Sequence, residues 1–210
     1  MNKTEELNTY CIQNSSEEAQ YLRELRRETH LKTLRPQMLS GPLQGQLLKM
    51  LVQLFKPKNI LEIGTFTGYA TLCMASGLGL GAKIYTLELE EEYAYFHHKY
   101  FVLSGLSEHI ECIYGDANAF VENTDLAFDF VFMDAGKKDY QSQFDLLLNK
   151  MNSGGMILAD NVLWKGRVLE EKKDKMTSQI DEFNAYVQQH EAVENVILPI
   201  RDGINLIRVL

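Results

Sequence analysis

At 210 residues, with 45% hydrophobic, 24% charged and 10% aromatic side chains, the chain has the composition of one globular unit. Disordered tails, collagen-like repeats and coiled coils are excluded, and a net charge of -8 argues against a wholly basic nucleic-acid binder. Cys11, Cys73 and Cys112 are odd in number and form no CxxC pair, so a reducing compartment is expected; Cys73, inside an apolar helical stretch, is expected to be a buried thiol. No apolar run approaches the ~20 residues of a membrane helix, and residues 1–6 carry no apolar signal core, so a cytoplasmic location without membrane contact is expected.

The first forty residues read as helical. Ser15-Ser16-Glu17-Glu18 offers an N-cap and first-turn acids, and Ala19, Leu22, Leu25 and Arg26 follow at helical spacing. Pro36 interrupts. Gly41-Pro42 then opens another helix carrying Leu43, Leu47, Leu48, Leu51 and Leu54, closed by Lys56-Pro57-Lys58. From Asn59 short apolar runs alternate with helical stretches: strands at 60–63, 83–87, 110–114, 128–133 and 156–159, and helices at 69–76, 90–103, 140–151 and 175–190. Two last runs, 193–199 and 204–210, flank Arg201-Asp202-Gly203 and read as a hairpin. This alternation predicts an α/β domain: a parallel sheet with helices on both faces and an antiparallel edge. The whole chain, 1–210, is expected to be one domain, with a leading helical segment at 1–57 and the α/β core at 58–210. Ligands of such sheets bind beyond the carboxyl ends of the strands, near the switch point.

The first strand ends in Glu62-Ile63-Gly64-Thr65-Phe66-Thr67-Gly68-Tyr69. Gly64 and Gly68 permit a tight turn and close backbone approach to a ligand, although this is not the G-x-G-x-x-G dinucleotide fingerprint and a bare strand-to-helix turn is the alternative. Glu88, ending the second strand, suits the vicinal hydroxyls of a ribose; otherwise it begins a solvated run with Glu90, Glu91 and Glu92. Asp116, in Gly115-Asp116-Ala117, suits an adenine amino group or else caps the next helix. Asp134 closes the fourth strand and Asp160-Asn161 the fifth. Adjacent parallel strands stand about 5 Å apart, so two carboxylates and an amide oxygen converge at one rim. Such a hard oxygen set suits Mg²⁺ with positions open for water and substrate; singly, each residue is a cap or turn former. His97, His98 and His109 have no ligand spacing and are expected in solvated or capping roles.

Together these residues resemble the cation-dependent class I O-methyltransferases, the group containing catechol and caffeoyl-CoA O-methyltransferases. The likeness spans nearly the whole chain. Arg26-Arg27-Glu28-Thr29-His30, Met38-Leu39-Ser40-Gly41 and Gly45-Gln46 resemble the leading segment of the bacterial subgroup. Leu61-Glu62-Ile63-Gly64-Thr65-Phe66-Thr67-Gly68-Tyr69 resembles the cofactor loop, Asp160-Asn161-Val162-Leu163-Trp164 with Gly166 the metal loop, and Leu198-Pro199 with Asp202-Gly203 the closing hairpin.

The resemblance implies a Rossmann-like fold with a mostly parallel seven-stranded sheet and an antiparallel C-terminal hairpin, S-adenosylmethionine (SAM) as methyl donor, and a homodimer. It implies that Glu62, Gly64, Thr65 and Tyr69, with Met38 and Ser40, hold the amino-acid part of SAM; that Glu88 takes the ribose; and that Asp116 and Ala117 take the adenine. Asp134 would meet both the cofactor's amino group and the metal. Asp134, Asp160 and Asn161 would hold a divalent ion, Mg²⁺ or else Mn²⁺ or Ca²⁺, and Lys137 would stand where the family's catalytic lysine does. The metal would favour ionisation of one of two vicinal hydroxyls on a catechol-like acceptor, with Lys137 as general base. A free lysine has a pKa near 10.4, which desolvation and nearby positive charge would lower. Gly136 stands where plant members usually carry Asp, a short CoA-ester recognition insertion is absent, and Ala70 replaces a common serine; the first two weaken any transfer of caffeoyl-CoA specificity.

Two alternatives accompany this expectation. One is O-methylation of 5-hydroxyuridine in tRNA, an activity of the resembling bacterial subgroup, with Arg23, Arg26, Arg27, Lys32 and Arg35 gripping phosphates; Glu24 and Glu28 on the same helix make a solvated mixed-charge face the plainer account. The other is a non-catalytic nucleotide-binding module or a nicotinamide dehydrogenase, which the absent dinucleotide fingerprint and the Asp134/Asp160/Asn161 set disfavour.

Overall fold

Seven strands form one sheet in the order β3-β2-β1-β4-β5-β7-β6 in the computed structural model, which describes residues 3–134 and 136–210. The strands are β1 Asn59–Ile63, β2 Lys83–Glu88, β3 Ile110–Tyr114, β4 Phe128–Met133, β5 Met151–Asp160, β6 Val193–Leu198 and β7 Ile204–Val209. The first five run parallel; β7 lies antiparallel between β5 and β6. Chain order reverses between β1 and β4, so the switch point falls where Gly64 and Asp134 leave their strands.

The helices are α1 Lys3–Gln13, α2 Gln20–Lys32, α3 Gly41–Phe55, α4 Tyr69–Ala75, α5 Ala94–Ser104, α6 Ala117–Asn123, α7 Tyr140–Leu148 and α8 Lys175–Gln189. Alternation along the strands sorts two cores. Leu61 and Ile63 of β1 and Val131 and Met133 of β4 pack with Phe144 of α7 and Phe183 of α8. Ile60, Phe130 and Phe132 face the other way, onto Leu48 and Val52 of α3 and Ala70 and Met74 of α4. Cys73 is buried as expected. Among the described residues no helix is long and apolar enough to cross a membrane.

Three boundaries depart from the sequence expectation. Ser15 does not cap α2: its hydroxyl donates to the Cys11 carbonyl (2.7 Å), finishing α1, and Ala19 stands at the N-cap without a side-chain bond. The helix expected over 140–151 stops at Leu148, and Met151 already belongs to β5. Met151 pairs with Phe128, after which the β4–β5 register shifts before Phe130 meets Met156. This bulged stretch contains Gly154 in a left-handed conformation (φ 78°), so its backbone pairs without an apolar alternation to announce it.

Candidate active site

Met38, Leu39, Ser40, Gly64, Thr65, Phe66, Tyr69, Ala70 and Asp134 line one cleft above the switch point. The backbone builds it. The N–H groups of Gly64 and Thr65 both donate to the Leu87 carbonyl (3.0 and 3.2 Å), and that of Asp134 donates to Ile63 O (2.9 Å), so the ends of β1, β2 and β4 are tied together. Gly68 turns the chain into α4 with φ 88°, and a Cβ there would sit 2.7 Å from the Phe101 ring. Five of the residues expected around the donor's amino-acid part (Met38, Ser40, Gly64, Thr65 and Tyr69) thus meet in one place, with Asp134 at its edge.

Glu62 lies beneath them, fully buried, because the β1 alternation turns it towards α4. One carboxylate oxygen accepts from the hydroxyls of Thr71 and Thr86 (2.5 Å each), whereas Oε1 is buried without a partner. Burial pushes the Glu62 carboxyl up to about 8 against the opposing pull of those hydroxyls. An orphaned acceptor of this kind fits a ligand carrying an ammonium group. Glu88 ends β2 with its oxygens held by the N–H groups of Phe66 (2.6 Å) and Glu90 (3.0 Å), and burial raises its pKa as well. Each oxygen keeps a lone pair for a hydroxyl donor. Asp116 and Ala117 stand outside the cleft lining: Asp116 caps α6 through the Ala119 N–H (2.8 Å), and Gly115 N donates to Glu88 O (2.9 Å).

His97 corrects the expectation of a solvated or capping role. It is buried on α5, stacked on Phe101 and Tyr114, with Nε2 at 2.6 Å from Phe66 O and Nδ1 at 2.7 Å from the Tyr114 hydroxyl. The carbonyl can only accept, so Nε2 carries the proton and Nδ1 accepts from Tyr114. Burial lowers this histidine from 6.5 to about 4. The unfolded chain therefore binds a proton that the folded one refuses between those values. Its contribution to stability is complete above pH 6.5 and is lost as pH falls towards 4, a swing of about 3 kcal/mol. Ring NMR of His97 should give a titration midpoint near 4; an ordinary midpoint near 6.5 would contradict this account.

The second half of the site hangs from the ends of β4 and β5. Lys137, in the 3-10 turn Lys137–Asp139 that follows β4, donates to Asp134 Oδ1 (3.0 Å) and to the Tyr140 hydroxyl (2.6 Å). Burial raises the Asp134 pKa and Asp160 adds like-charge repulsion, while Lys137 and Arg201 pull the other way. Burial on its own would lower Lys137, but the oxygens of Tyr140, Asp134 and Asp160 outweigh it and hold the ammonium above its ordinary range. Asp160 is buried and takes the Asn161 N–H on Oδ1 (2.9 Å), while Asn161 adopts φ 60°. The loop beyond is gripped by the hairpin turn: Val162 N donates to Gly203 O (3.2 Å), Leu163 N to Asp202 O (2.8 Å) and Lys165 N to the Asp202 carboxylate. Gly203 is required there, since at φ 88° a Cβ would lie 2.4 Å from Leu163.

Among the described residues no three His, Cys, Asp or Glu side chains gather for a metal. What the strand ends offer is two carboxylates and an amide oxygen, with Asp134 and Asp160 close enough to repel. That chemistry fits a hard dication and not zinc.

The O-methyltransferase family profile matches residues 12–210. A catechol O-methyltransferase of Niastella koreensis is 35% identical over 78% of this chain and 76% of its own length. Tricin synthase 2 of Oryza sativa is 32% identical over 99% of this chain and 76% of its own. Among solved structures, an O-methyltransferase from Bacillus cereus in complex with SAH superposes with a TM-score of 0.88 at 28% identity, over 97% of each chain. The chain belongs to the O-methyltransferase family, and its sheet is the Rossmann-like sheet of those enzymes.

Two residues of the site escaped sequence reasoning. Tyr140 follows Asp134 and Lys137 at equal intervals of three, a spacing that carries it onto the first turn of α7. Arg201 donates from Nη1 to Ser40 O and to Gln44 Oε1 (2.8 Å), fastening the β6–β7 turn to the leading segment. No local pattern announces a contact between residues so far apart in the chain.

Proposed function

We propose that this O-methyltransferase transfers a methyl group from SAM to a hydroxyl of a catechol-like small molecule and requires a divalent cation. One observation carries the proposal: Asp134 belongs both to the lining of the cleft and to the oxygen set formed with Asp160 and Asn161, so methyl donor and cation would share a wall. The SAH-bound Bacillus relative and the Niastella catechol enzyme support it. We extend it to a homodimer, as the family resemblance implies, and to a cytoplasmic location, as the unpaired cysteines suggest.

When bound, SAM supplies a methyl carbon that the acceptor oxygen attacks as the carbon–sulfur bond breaks and its electron pair stays on sulfur, while the cation lowers the cost of ionising the hydroxyl. The chain's own residues do the rest. Glu62 Oε1 and Asp134 receive the donor's ammonium, the backbone at Gly64 and Thr65 with Ser40 its carboxylate, and Glu88 the ribose. Met38 and Tyr69 wall the same cleft, and Asp116 and Ala117 edge the adenine end. Asp134, Asp160 and Asn161 hold the cation. Lys137 Nζ takes the acceptor's proton after its ammonium has released one to water, a loss that the positive charge of a bound cation and sulfonium would favour.

Three of the five cations that would grip RNA phosphates are engaged within the fold. Arg26 is paired with Glu18 (2.9 Å), Lys32 with Glu28 (2.5 Å), and Arg23 donates to Glu18 O (2.5 Å). Methyl-labelled SAM, offered with catechol or with tRNA lacking the 5-methoxyuridine modification, tests both acceptors. Catechol should be labelled, chelator should abolish the label, and Mg²⁺ should restore it. Label on tRNA alone, or transfer indifferent to chelator, would sink the proposal.

A further inference from the structure

Tyr140 is the first residue of α7 and is 1% exposed, although its hydroxyl lies among polar atoms. That oxygen meets three partners: Lys137 Nζ at 2.6 Å, the Met133 carbonyl at 3.1 Å and the Asp160 carbonyl at 3.0 Å. A phenol has one proton and two lone pairs. It therefore accepts from the lysine and shares its proton between the two carbonyls. Met133 is the last residue of β4 and Asp160 the last of β5, so a single atom spans the two strand ends from which Asp134 and Asn161 depart. The ring is fixed from behind by an edge contact with Phe183 (5.3 Å, 68°), and Lys137 Nζ lies 4.8 Å from the ring centroid.

Lysine is a flexible four-carbon stem, and holding it in one pose costs rotamer entropy. Among the described residues, only Asp134 and Tyr140 hydrogen-bond to the Lys137 ammonium. Asp134 also has the cleft and the neighbouring oxygen donors to serve, whereas Tyr140 is wholly committed to the lysine and the strand ends. We propose that Tyr140 is a positioning residue: its hydroxyl holds Lys137 in register with the ends of β4 and β5, and methyl transfer depends on it through Lys137. This rests on Lys137 being the acceptor of the substrate proton.

Tyr140→Phe keeps the ring and its Phe183 contact and deletes the tether alone. With catechol, SAM and Mg²⁺, kcat should fall about tenfold to a hundredfold, with the KM for catechol and the Kd for SAH within about twofold of wild type. In a Lys137→Met background the same substitution should cost no further activity. Side-chain NMR of Lys137 (Cε and Nζ relaxation) should show an ordered ammonium in wild type and a mobile one in the variant. A kcat within twofold of wild type, a full additional loss in the Lys137→Met background, or an equally ordered Lys137 would overturn the inference. If Lys137→Met itself keeps full activity, the proton-acceptor assignment falls instead, and the NMR comparison alone still decides whether the tether exists.

Discussion

Asp160→Ala is expected to lower kcat/KM for methyl transfer by about a thousandfold and to erase the response to added divalent ion. The side chain is buried at the end of β5 beside Asp134, and its repulsion helps keep Asp134 above the usual carboxylate range. Removing it takes one of two charged ligands from the oxygen set and leaves Asp134 to pair with Lys137 undisturbed. The cleft itself is untouched, because Asp160 does not line it; SAH should therefore bind within about twofold of wild type by calorimetry. Tyr140 still finds the Asp160 carbonyl, so the strand ends stay joined. Undiminished turnover by this variant in chelator-treated buffer would exclude a cation-assisted mechanism.

Glu62→Gln is expected to weaken SAH and SAM by about tenfold to a hundredfold, the worth of a charge-assisted hydrogen bond in a buried site. The amide oxygen still accepts from Thr71 and Thr86, so the pillar under the loop survives while the charge facing the ligand is lost. A second signature follows from protonation. In the free protein burial holds the Glu62 carboxyl up to about 8, so it is neutral at pH 7. An ammonium meeting Oε1 favours the carboxylate, and binding then expels the proton. Affinity should rise with pH up to about 8 and flatten above it. Calorimetry in buffers of different ionisation enthalpy should register proton release at pH 7 for wild type and none for Glu62→Gln. A Kd unchanged by the substitution would remove Glu62 from the binding site. In the folding equilibrium the sign is opposite to that of His97: the folded chain keeps a proton on Glu62 that the unfolded chain gives up above 4.5, so stability declines as pH rises towards 8.

Strand positions were legible wherever burial on both faces made the run continuously apolar. Residues 130–133, the buried part of β4 beyond Asp129, form such a run, and its end placed Asp134 at the switch point. Glycines that turn the chain at Gly64, Gly68 and Gly203 were equally visible, because only glycine fills those conformations at no cost. What escaped was decided by tertiary contact. Met151–Gly155 joins β5 through backbone pairing across a bulge, which leaves no side-chain period. Ser15 had two helix ends within reach, and its hydroxyl went to the one behind it. His97 looks like a surface residue in a pair of histidines until Phe66 and Tyr114, from distant segments, close around it. Tyr140 reads as an ordinary first residue of a helix, and only the meeting of Met133 O and Asp160 O gives its hydroxyl a place. Glu62, Glu88, Asp134, Asp160 and Asn161 were legible because strand ends carry them, and Met38 and Ser40 only through the family resemblance; the residues that support them were not.

The fastening of Arg201 to Ser40 and Gln44 bears on the order in which the molecule can be completed during synthesis. β6 neighbours only β7, which is made after it, and β7 alone covers the outer edge of β5. A polypeptide still on the ribosome with Leu198 just emerged leaves β5 open on one side, β6 with nothing to pair with, and the loop after Asn161 without the Gly203 and Asp202 carbonyls that clamp it. The clamp on the loop after Asn161 and the tie from Arg201 to Ser40 thus close together, and only once the β6–β7 turn has been made.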